Sequence, residues 1–537
     1  MSVATSSARP FSPHYFPILV MTLAVVAALG VTTGCGSRNG SSPSGPKFSG
    51  NTTVTVLLSG TANDELAEFN VGFQSIALTS QSGKTVTLLS LPTSGPPLGA
   101  EFMHINGTAE PLVTASIPQD VYTSATVTGP SADFVCIALG QVNGQGTLST
   151  ATYSLLQSPA ATVTLPSPIT VTGASMGLSL DLQVSQSASL GSCLSPNGFY
   201  GFSLTPAFSL TPLTLSSSPT NAANGKVTGI DGQITAIGTN GSSLTLSIPD
   251  VEGPRPLSVS SNSNTLYHGL GGFSALALGT FVDMDGAIQS DGSLLATRIA
   301  VEDPSAADVV RGPVMEVAPS VSALFMHARE QQGKDFPGYV GGFGPFNFGS
   351  ATFQISSQLT NLGSLPFVPS FNAANIVPGQ EVYVSAASIP SGGYPFATTM
   401  TLMPQTINAS VTASTKVGNF TDYTVSLAPY DLFPMLAVQP GQTTVENNPS
   451  QVEVYVDSNT QLLNTQVLAP GTTLRFYGLV FNDSGTLRMD CAQVNDGVAF
   501  SPQPTSNSHL EIGQARIVRE GSGPLQQLIT VITPAGH

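Results

Sequence analysis

Apolar and polar side chains alternate in short stretches over residues 51–213, and turns separate the stretches. Val54, Val56 and Leu58 occupy every second position of the first stretch, and Ser82-Gly83-Lys84 is typical of the turns. A period of two places such side chains on one face of a β-strand. The pattern predicts a β-sandwich of about seven strands over residues 51–215.

A second pattern follows the polar linker at residues 216–224 and recurs along the chain. The segment from Gly279 to Gly286 has the same glycine spacing as the segment from Gly471 to Gly478, and Gly379 marks a degenerate copy between them. The marker glycines Gly279, Gly379 and Gly471 are 100 and 92 residues apart, which suits small barrels better than solenoid turns.

We therefore predict three tandem OB-like β-barrels, at residues 225–303, 308–405 and 410–500, with the middle copy degenerate. The tail at residues 501–537 contains one or two further strand patterns, which we expect to complete the last barrel.

Composition supports an all-β fold class. Charged residues make up 9% of the chain, against about 25% in ordinary globular domains, and hydrophobic residues make up 41%. The surface must therefore consist mainly of Ser, Thr, Asn, Gln and Gly. Val- and Thr-rich stretches broken by 54 glycines and 41 prolines favour strands and turns over helices.

Charge narrows the choice of partners. The net charge is -16 with 15 Lys and Arg in total, and no basic cluster is present to neutralise phosphates. Nucleic acid is therefore excluded as an expected partner. Asp and Glu are scattered along the chain, and we interpret them as groups that keep the surface soluble.

The N-terminus predicts export. Residues 16–31 are apolar, and Arg9 precedes them. This stretch is shorter than the roughly 20 residues that a membrane-spanning helix needs and is typical of a signal peptide. The following Thr32-Thr33-Gly34-Cys35 resembles the lipobox of bacterial lipoproteins, which implies cleavage before Cys35 and a lipid on that residue. Secretion with a free Cys35 and an uncleaved anchor are the alternatives, and both are extracytoplasmic.

Residues 1–35 are thus the predicted lipoprotein signal peptide, and residues 36–50 are a Gly/Ser/Pro tether that we expect to be disordered. The tether would connect folded domains to a membrane. By resemblance to Gram-negative lipoproteins, Gly36 rather than Asp after the lipidated residue favours the outer membrane or cell surface.

Two stretches resemble uncharacterised bacterial families. Residues 51–215 resemble lipoprotein domains known as domain of unknown function 4382, through the segments VTVLLSG, NVGFQSIAL, SIPQDVY, LSLDLQV and FSLTPAFSL. The repeat that opens with Gly225 to Ile230 resembles domain of unknown function 5666, whose expected form is a small OB-like barrel. Neither family has a settled activity, so these resemblances imply architecture and location only.

Candidate chemistry is sparse. Ser175 satisfies the G-x-S-x-G pattern of a nucleophile elbow, but the alternation that follows predicts a hairpin turn and a strand instead of the required helix. The six histidines show no metal-ligand spacing, and the sequence shows no nucleophile with an acid-base constellation, so we predict no catalytic residue, metal or cofactor. Asp283, Asp285 and Asp291 look superficially like a calcium loop, and we interpret them as solvated hairpin residues.

An aromatic loop is the most distinctive segment. Residues 336–349 carry five rings among glycines: Phe336, Tyr339, Phe343, Phe346 and Phe348. Exposed rings stack on sugars or contact a partner, whereas buried rings fill the end of the middle barrel. Burial of apolar area favours inward packing.

The cysteines permit one disulfide in the first mature domain. Cys136 and Cys193 are the two cysteines of that domain, and an oxidising compartment would pair them. Cys491 is expected to remain unpaired.

The leading functional hypothesis is a non-catalytic cell-envelope lipoprotein with a structural or adhesive role, in contact with polysaccharide or an envelope protein. A glycan-binding array is the alternative, which the absence of Trp disfavours. A secreted hydrolase is the third; it would require several of His104, His268, His327 and the carboxylates to meet in one cleft.

Overall fold

A computed structural model describes most of the chain after the tether. The described residues are 48–61, 66–92, 97–105, 108–129, 131–142, 145–155, 161–187, 205–220, 222–249, 254–303, 308–332, 343–359, 362–386, 395–427, 432–437, 450–463, 468–496, 512–520 and 527–534.

The predicted all-β fold is confirmed, since the two α-helices of the described residues, α1 (Val184–Ser187) and α2 (Leu432–Ala437), are each shorter than two turns. Within the described ranges, no helix has the length and apolar character needed to cross a membrane. Phe48–His537 form one compact unit.

The N-terminal domain is a β-sandwich. Its strands are β1 (Asn51–Thr61), β2 (Leu66–Phe73), β3 (Ser75–Ser80), β4 (Thr85–Ser90), β5 (Leu98–Glu101), β6 (Glu110–Pro118), β7 (Asp120–Thr128), β8 (Ser131–Val142), β9 (Gln145–Leu155), β10 (Thr162–Thr164), β11 (Ile169–Val171), β12 (Ser175–Gln183) and β13 (Ala207–Leu213). One sheet has the order β10-β13-β12-β1-β6, and the other has the order β11-β7-β3-β4. Both sheets supply the core, which includes Val56, Leu78 and Leu180.

The C-terminal tail joins this domain. Strands β33 (Ile512–Glu520) and β34 (Gln527–Pro534) form a hairpin, and β34 pairs in parallel with β9. The resulting sheet has the order β33-β34-β9-β8-β2-β5. The expectation that the tail completes the last barrel is therefore wrong. Alternation of apolar and polar residues predicts that a segment is a strand, but it does not predict which strand several hundred residues away will pair with it.

Three barrels follow the sandwich. Their strands are β14 (Lys226–Ile237), β15 (Ser243–Ile248), β16 (Arg255–Ser260), β17 (Leu266–His268), β18 (Phe281–Ile288) and β19 (Leu294–Asp303) in the first; β20 (Asp308–Ala318), β21 (Ala323–His327), β22 (Glu330–Gln332), β23 (Phe343–Asn347), β24 (Thr352–Ile355), β25 (Glu381–Ala386) and β26 (Ala397–Leu402) in the middle; and β27 (Gln405–Val417), β28 (Phe420–Leu427), β29 (Gln451–Val456), β30 (Gln461–Leu462), β31 (Thr473–Asp483) and β32 (Thr486–Asp496) in the third.

The three barrels share one topology. The first closes as β16-β15-β14-β18-β19 through a β16–β19 pairing, and the third closes as β29-β28-β27-β31-β32 through β29–β32. In the middle barrel the order β23-β21-β20-β25-β26 is closed by a bridge between Asn347 and Phe396. In each barrel a short extra strand, β17, β24 or β30, lies parallel to the last strand. Five strands closed in this way are the OB-like form.

The marker glycines of the repeat occupy equivalent turns. Gly279, Gly379 and Gly471 have φ values of 85°, 94° and 89°, a region that side chains with a Cβ rarely adopt. Each backbone N–H donates to the first strand of its barrel, at Ile234, Val314 and Val411, over 2.7–2.8 Å. The repeat seen in the sequence is thus a repeated turn geometry.

The second glycine of the repeat allows close strand approach. A Cβ added at Gly478 would lie 1.9 Å from the carbonyl oxygen of Asp490 on the facing strand. We expect Gly478→Ala to lower the free energy of unfolding by about 1–3 kcal/mol or more, through overpacking, in urea titrations followed by circular dichroism. Gly363→Ala is the control, because its added Cβ would meet no atom within 4 Å other than those of its own residue and its chain neighbours. Equal midpoints for the two variants would contradict this account.

The strand after each marker glycine has a buried outer face. Val282 and Met284 belong to the core of the first barrel, so the alternate residues of β18 point away from that core. The equivalent outward residues of the three barrels are nevertheless buried: Asp283, Asp285, Tyr383, Ser385, Arg475 and Tyr477. The barrels therefore turn their polar outer faces toward neighbouring domains.

Candidate functional site

Charged side chains from the sandwich, the first barrel and the middle barrel converge in the interior. We call this cluster the interdomain hub, and define it as Glu68, Glu101, His104, Glu110, Asp231, Arg255, Asp283, Asp285, Arg298, Arg311, His327, Arg329, Glu330 and Glu381. Buried charges are stable only when they are paired and hydrogen-bonded, so each contact in the hub constrains the domains that supply it.

His104 joins the sandwich to the middle barrel. Its Nε2 lies 2.9 Å from Glu330 and 3.3 Å from Glu110, and its Nδ1 lies 3.2 Å from Glu101. Burial disfavours the charged imidazolium, but the Glu330 and Glu101 carboxylates overcome that penalty and raise the pKa of His104 to about 9. His104 is therefore a cation at neutral pH. Glu110 also pairs with Arg255 of the first barrel.

His327 makes a second link between the sandwich and the middle barrel. Its Nε2 lies 2.6 Å from Glu68, and both side chains are completely buried. Two residues further on, the Arg329 guanidinium donates to the backbone carbonyl of Ala67 over 2.5 Å and to Glu381 over 2.8 Å. Strand β2 is therefore held by side chains that lie about 260 residues away.

Two arginines hold the first and middle barrels together. Arg311 donates to Asp231 over 2.5 Å and approaches Glu381 at 3.5 Å. Arg298 pairs with Asp283 over 2.6 Å and with Asp285 over 2.7 Å, and it also donates to Ser357 of the middle barrel. Burial opposes its charge, but the two aspartates raise the pKa of Arg298 above its ordinary value.

The third barrel reaches this region through Tyr477. The Tyr477 hydroxyl donates to the side-chain oxygen of Gln358 over 3.1 Å, and the Gln358 amide donates to Asp283. Burial raises the pKa of Tyr477, so this phenol stays protonated at neutral pH. The third barrel is thus joined by side-chain hydrogen bonds to the middle and first barrels.

The hub leaves little room for a substrate. The cavity that borders His104, Arg311, Arg329 and Glu381 has a volume of about 50 Å³. That volume holds a few waters but no organic substrate. Both histidines are engaged with carboxylates. The structure therefore brings His104 and His327 together with carboxylates, as a hydrolase would require, but inside a packed interface and not in a cleft. His268 lies outside the hub, on β17.

Two interpretations of acidic residues are corrected. Asp283 is fully buried and Asp285 is 9% exposed, so they are not solvated hairpin residues; Asp291 alone is an exposed turn residue, which accepts hydrogen bonds from Ser293. The broader view of Asp and Glu as solubilising groups is also wrong for the hub carboxylates.

Ser175 has no nucleophile-elbow setting. It is the first residue of β12, which pairs in parallel with β1 and antiparallel to β13. The preceding turn has Gly173 at φ 77° and leads into a strand rather than a helix.

Part of the aromatic loop belongs to the hydrophobic core of the middle barrel. Phe346 and Phe348 are buried in the middle barrel, and the ring of Phe348 packs edge-on against Phe353 at 6.1 Å. Phe336 and Tyr339 lie outside the described residues, as does the side chain of Phe343.

The predictions for the cysteines also fall partly outside the described residues. Cys35 and Cys193 lie outside the described residues, and Cys136 lies in β8 with its side chain undescribed, so lipidation and the disulfide stay predictions. Cys491 is buried and free, and its thiol donates to the Gln493 carbonyl over 3.3 Å.

A larger polar cavity lies between the first, middle and third barrels. Its volume is about 240 Å³, and its lining includes Lys226, Thr228, Gln358, Asp457 and Asp490. Burial, and secondarily the charge of Asp457, raise the pKa of Asp490 to about 6. Within the described part of the chain, no cluster of His, Cys, Asp and Glu has the arrangement of a metal site.

Comparison with known proteins identifies one segment of the first barrel. No curated protein matches the chain. Among solved structures, the chain is similar to a variant of CusF from Escherichia coli with Cu(II): identity is 13%, the likeness covers 17% of this chain and 100% of that chain, and the TM-score is 0.12. Residues 231–300 match the family described as domain of unknown function (DUF5666), which confirms the resemblance predicted for the first barrel.

Proposed function

We propose that the protein is a non-catalytic lipoprotein of the bacterial cell envelope, held to a membrane by a lipid on Cys35 and acting as a rigid structural or binding unit. The observation that carries the proposal is the hub. A chain with few charged residues buries many of them in contacts between domains.

The geometry of the hub supports a structural role over a catalytic one. A general base needs an unengaged lone pair within reach of a substrate. His104 is a cation held by carboxylates, His327 is completely buried against Glu68, and the neighbouring cavity has room for a few waters. These groups fix the domains relative to one another, and a fixed array suits a scaffold.

Location rests on the N-terminal sequence. The apolar stretch, the lipobox-like Thr32 to Cys35 and the Gly/Ser/Pro tether support export, lipidation and a position off the membrane surface. The resemblance of residues 51–215 to the lipoprotein domain of unknown function 4382 agrees with that location. Gly36 favours the outer membrane or cell surface.

Lipidation is tested by Cys35→Ala. We expect the variant to leave the membrane fraction and to lose metabolic labelling by a fatty-acid analogue, because the thiol that carries the lipid is absent. Cys491→Ala is the matched control, since that buried cysteine lies in the third barrel and should not affect labelling. Unchanged labelling of Cys35→Ala would refute the anchor.

A glycan-binding role is the second candidate. The polar cavity of about 240 Å³ between the barrels favours it, because that cavity offers hydrogen-bonding groups at a size suited to a small polar ligand.

A further inference from the structure

The polar cavity contains charged groups without partners. Among the described residues, neither the Asp490 carboxylate nor the Lys226 ammonium has a hydrogen-bonding or ion-pair partner. Asp490 is partly buried, and its raised pKa reflects the loss of water around the carboxylate. A partly desolvated carboxylate without protein donors takes its hydrogen bonds from water or from a ligand that enters the cavity.

Comparison of the third barrel with the first shows that the first lacks this carboxylate. Thr265 donates to the Ala296 carbonyl over 2.7 Å, and Thr460 donates equivalently to the Cys491 carbonyl over 2.8 Å. The residue before each carbonyl is Leu295 in the first barrel and Asp490 in the third. The barrel fold therefore accepts an apolar residue at this position.

The neighbouring turn also has an acidic residue in the third barrel where the first barrel has an amide. In the first barrel Asn262 accepts the backbone N–H of Asn264, and in the third barrel Asp457 accepts the backbone N–H of Asn459. Asp457 also accepts hydrogen bonds from the Asn459 side-chain amide and the Thr460 backbone N–H, so its carboxylate is engaged within the turn. The Asp457 carboxylate lies on the cavity wall beside Asp490, and Asp285 of the first barrel also lines the wall.

The lining indicates the ligand class. Carboxylates and carbonyl oxygens accept hydrogen bonds, while Lys226, hydroxyls and amide nitrogens donate them. Such a mixed wall matches a ligand in which every polar group both donates and accepts, as sugar hydroxyls do. Three aspartates on the wall, Asp285, Asp457 and Asp490, disfavour phosphates and other anions.

We propose that the cavity between the three barrels binds a neutral sugar unit, with Asp490 accepting hydrogen bonds from its hydroxyls and Lys226 donating to it. The proposal deepens the binding role proposed above and is independent of the lipid anchor. Membrane attachment is measured in a separate experiment, so a negative result for sugar binding does not contradict the lipid anchor, and the reverse also holds.

The test is isothermal titration calorimetry on the purified full-length chain. The probes are glucose, galactose, mannose, N-acetylglucosamine, maltose and cellobiose. We expect at least one to bind with one site per chain, and Asp490→Leu, which installs the residue of the first barrel, to weaken that binding at least tenfold. Asp291→Asn is the matched control, because it removes an exposed carboxylate from another hairpin and should leave affinity unchanged.

Stability separates this role from a structural one. Asp490 has no partner to lose among the described residues, so Asp490→Leu should keep or raise the melting temperature while binding falls. If none of the six sugars binds, or if binding is equal in the wild-type chain and Asp490→Leu, the proposal is overturned. If Asp490→Leu weakens binding and also lowers the melting temperature, the proposal is overturned in favour of a structural role for Asp490.

Discussion

Replacing Arg298 by Met lowers the free energy of unfolding by about 3 to 5 kcal/mol, because it leaves buried carboxylates without their cation. Arg298 pairs with Asp283 and Asp285, and its side chain is 5% exposed. Met preserves much of the apolar stem, so the loss measures the charge and its hydrogen bonds more than the packing. Urea titrations followed by circular dichroism measure the change.

Arg488→Met is the matched control. Arg488 also bridges two carboxylates, Glu453 and Asp483, but its side chain is 25% exposed. Water screens such a pair, and exposed pairs contribute about 0–1 kcal/mol. The guanidinium also lies over the Phe367 ring at 5.3 Å, so a loss near the upper end of that range is expected. Comparable losses in both variants would mean that the hub does not hold the domains through buried charge.

The fold was predictable because its signals are local. Alternation over a few residues predicts a strand, and a glycine before a strand predicts a turn with positive φ. Gly279, Gly379 and Gly471 therefore revealed the repeat, and all three occupy that turn. The partner of the tail hairpin was not predictable in this way, because β34 pairs with β9 across the length of the chain.

The hub was not predictable from spacing. Glu68 and His327 are 259 residues apart, and Arg311 and Asp231 are 80 residues apart. One signal was available at Asp283 and Asp285, which alternate with Val282 and Met284 as a strand does. Alternation predicts that the two aspartates share the face opposite the core. From the sequence alone that face is predicted to be exposed to solvent, because the neighbouring domains that cover it are not known. The low content of charged residues was the better indication that many of them are buried and paired.

Stability should fall as the pH rises through the range in which His104 loses its proton. The folded pKa of His104 is about 9, above the value of about 6.5 expected for an unfolded histidine. The raised pKa means that the folded state binds the proton more tightly than the unfolded state does. The contribution is therefore fully present below about pH 6.5 and is lost as the pH rises through about 9.

The expected loss between pH 6 and pH 9.5 is about 3 kcal/mol, since each unit of difference in pKa corresponds to about 1.4 kcal/mol. Urea titrations across this range give the slope. His104→Gln removes the titrating group and should flatten the slope, although it lowers stability at neutral pH because Glu101, Glu110 and Glu330 lose their shared cation. His268→Gln, which removes a histidine outside the hub, is the control. A His104→Gln variant that retains the full pH dependence would show that another group is responsible and that His104 does not hold the sandwich to the middle barrel as a cation.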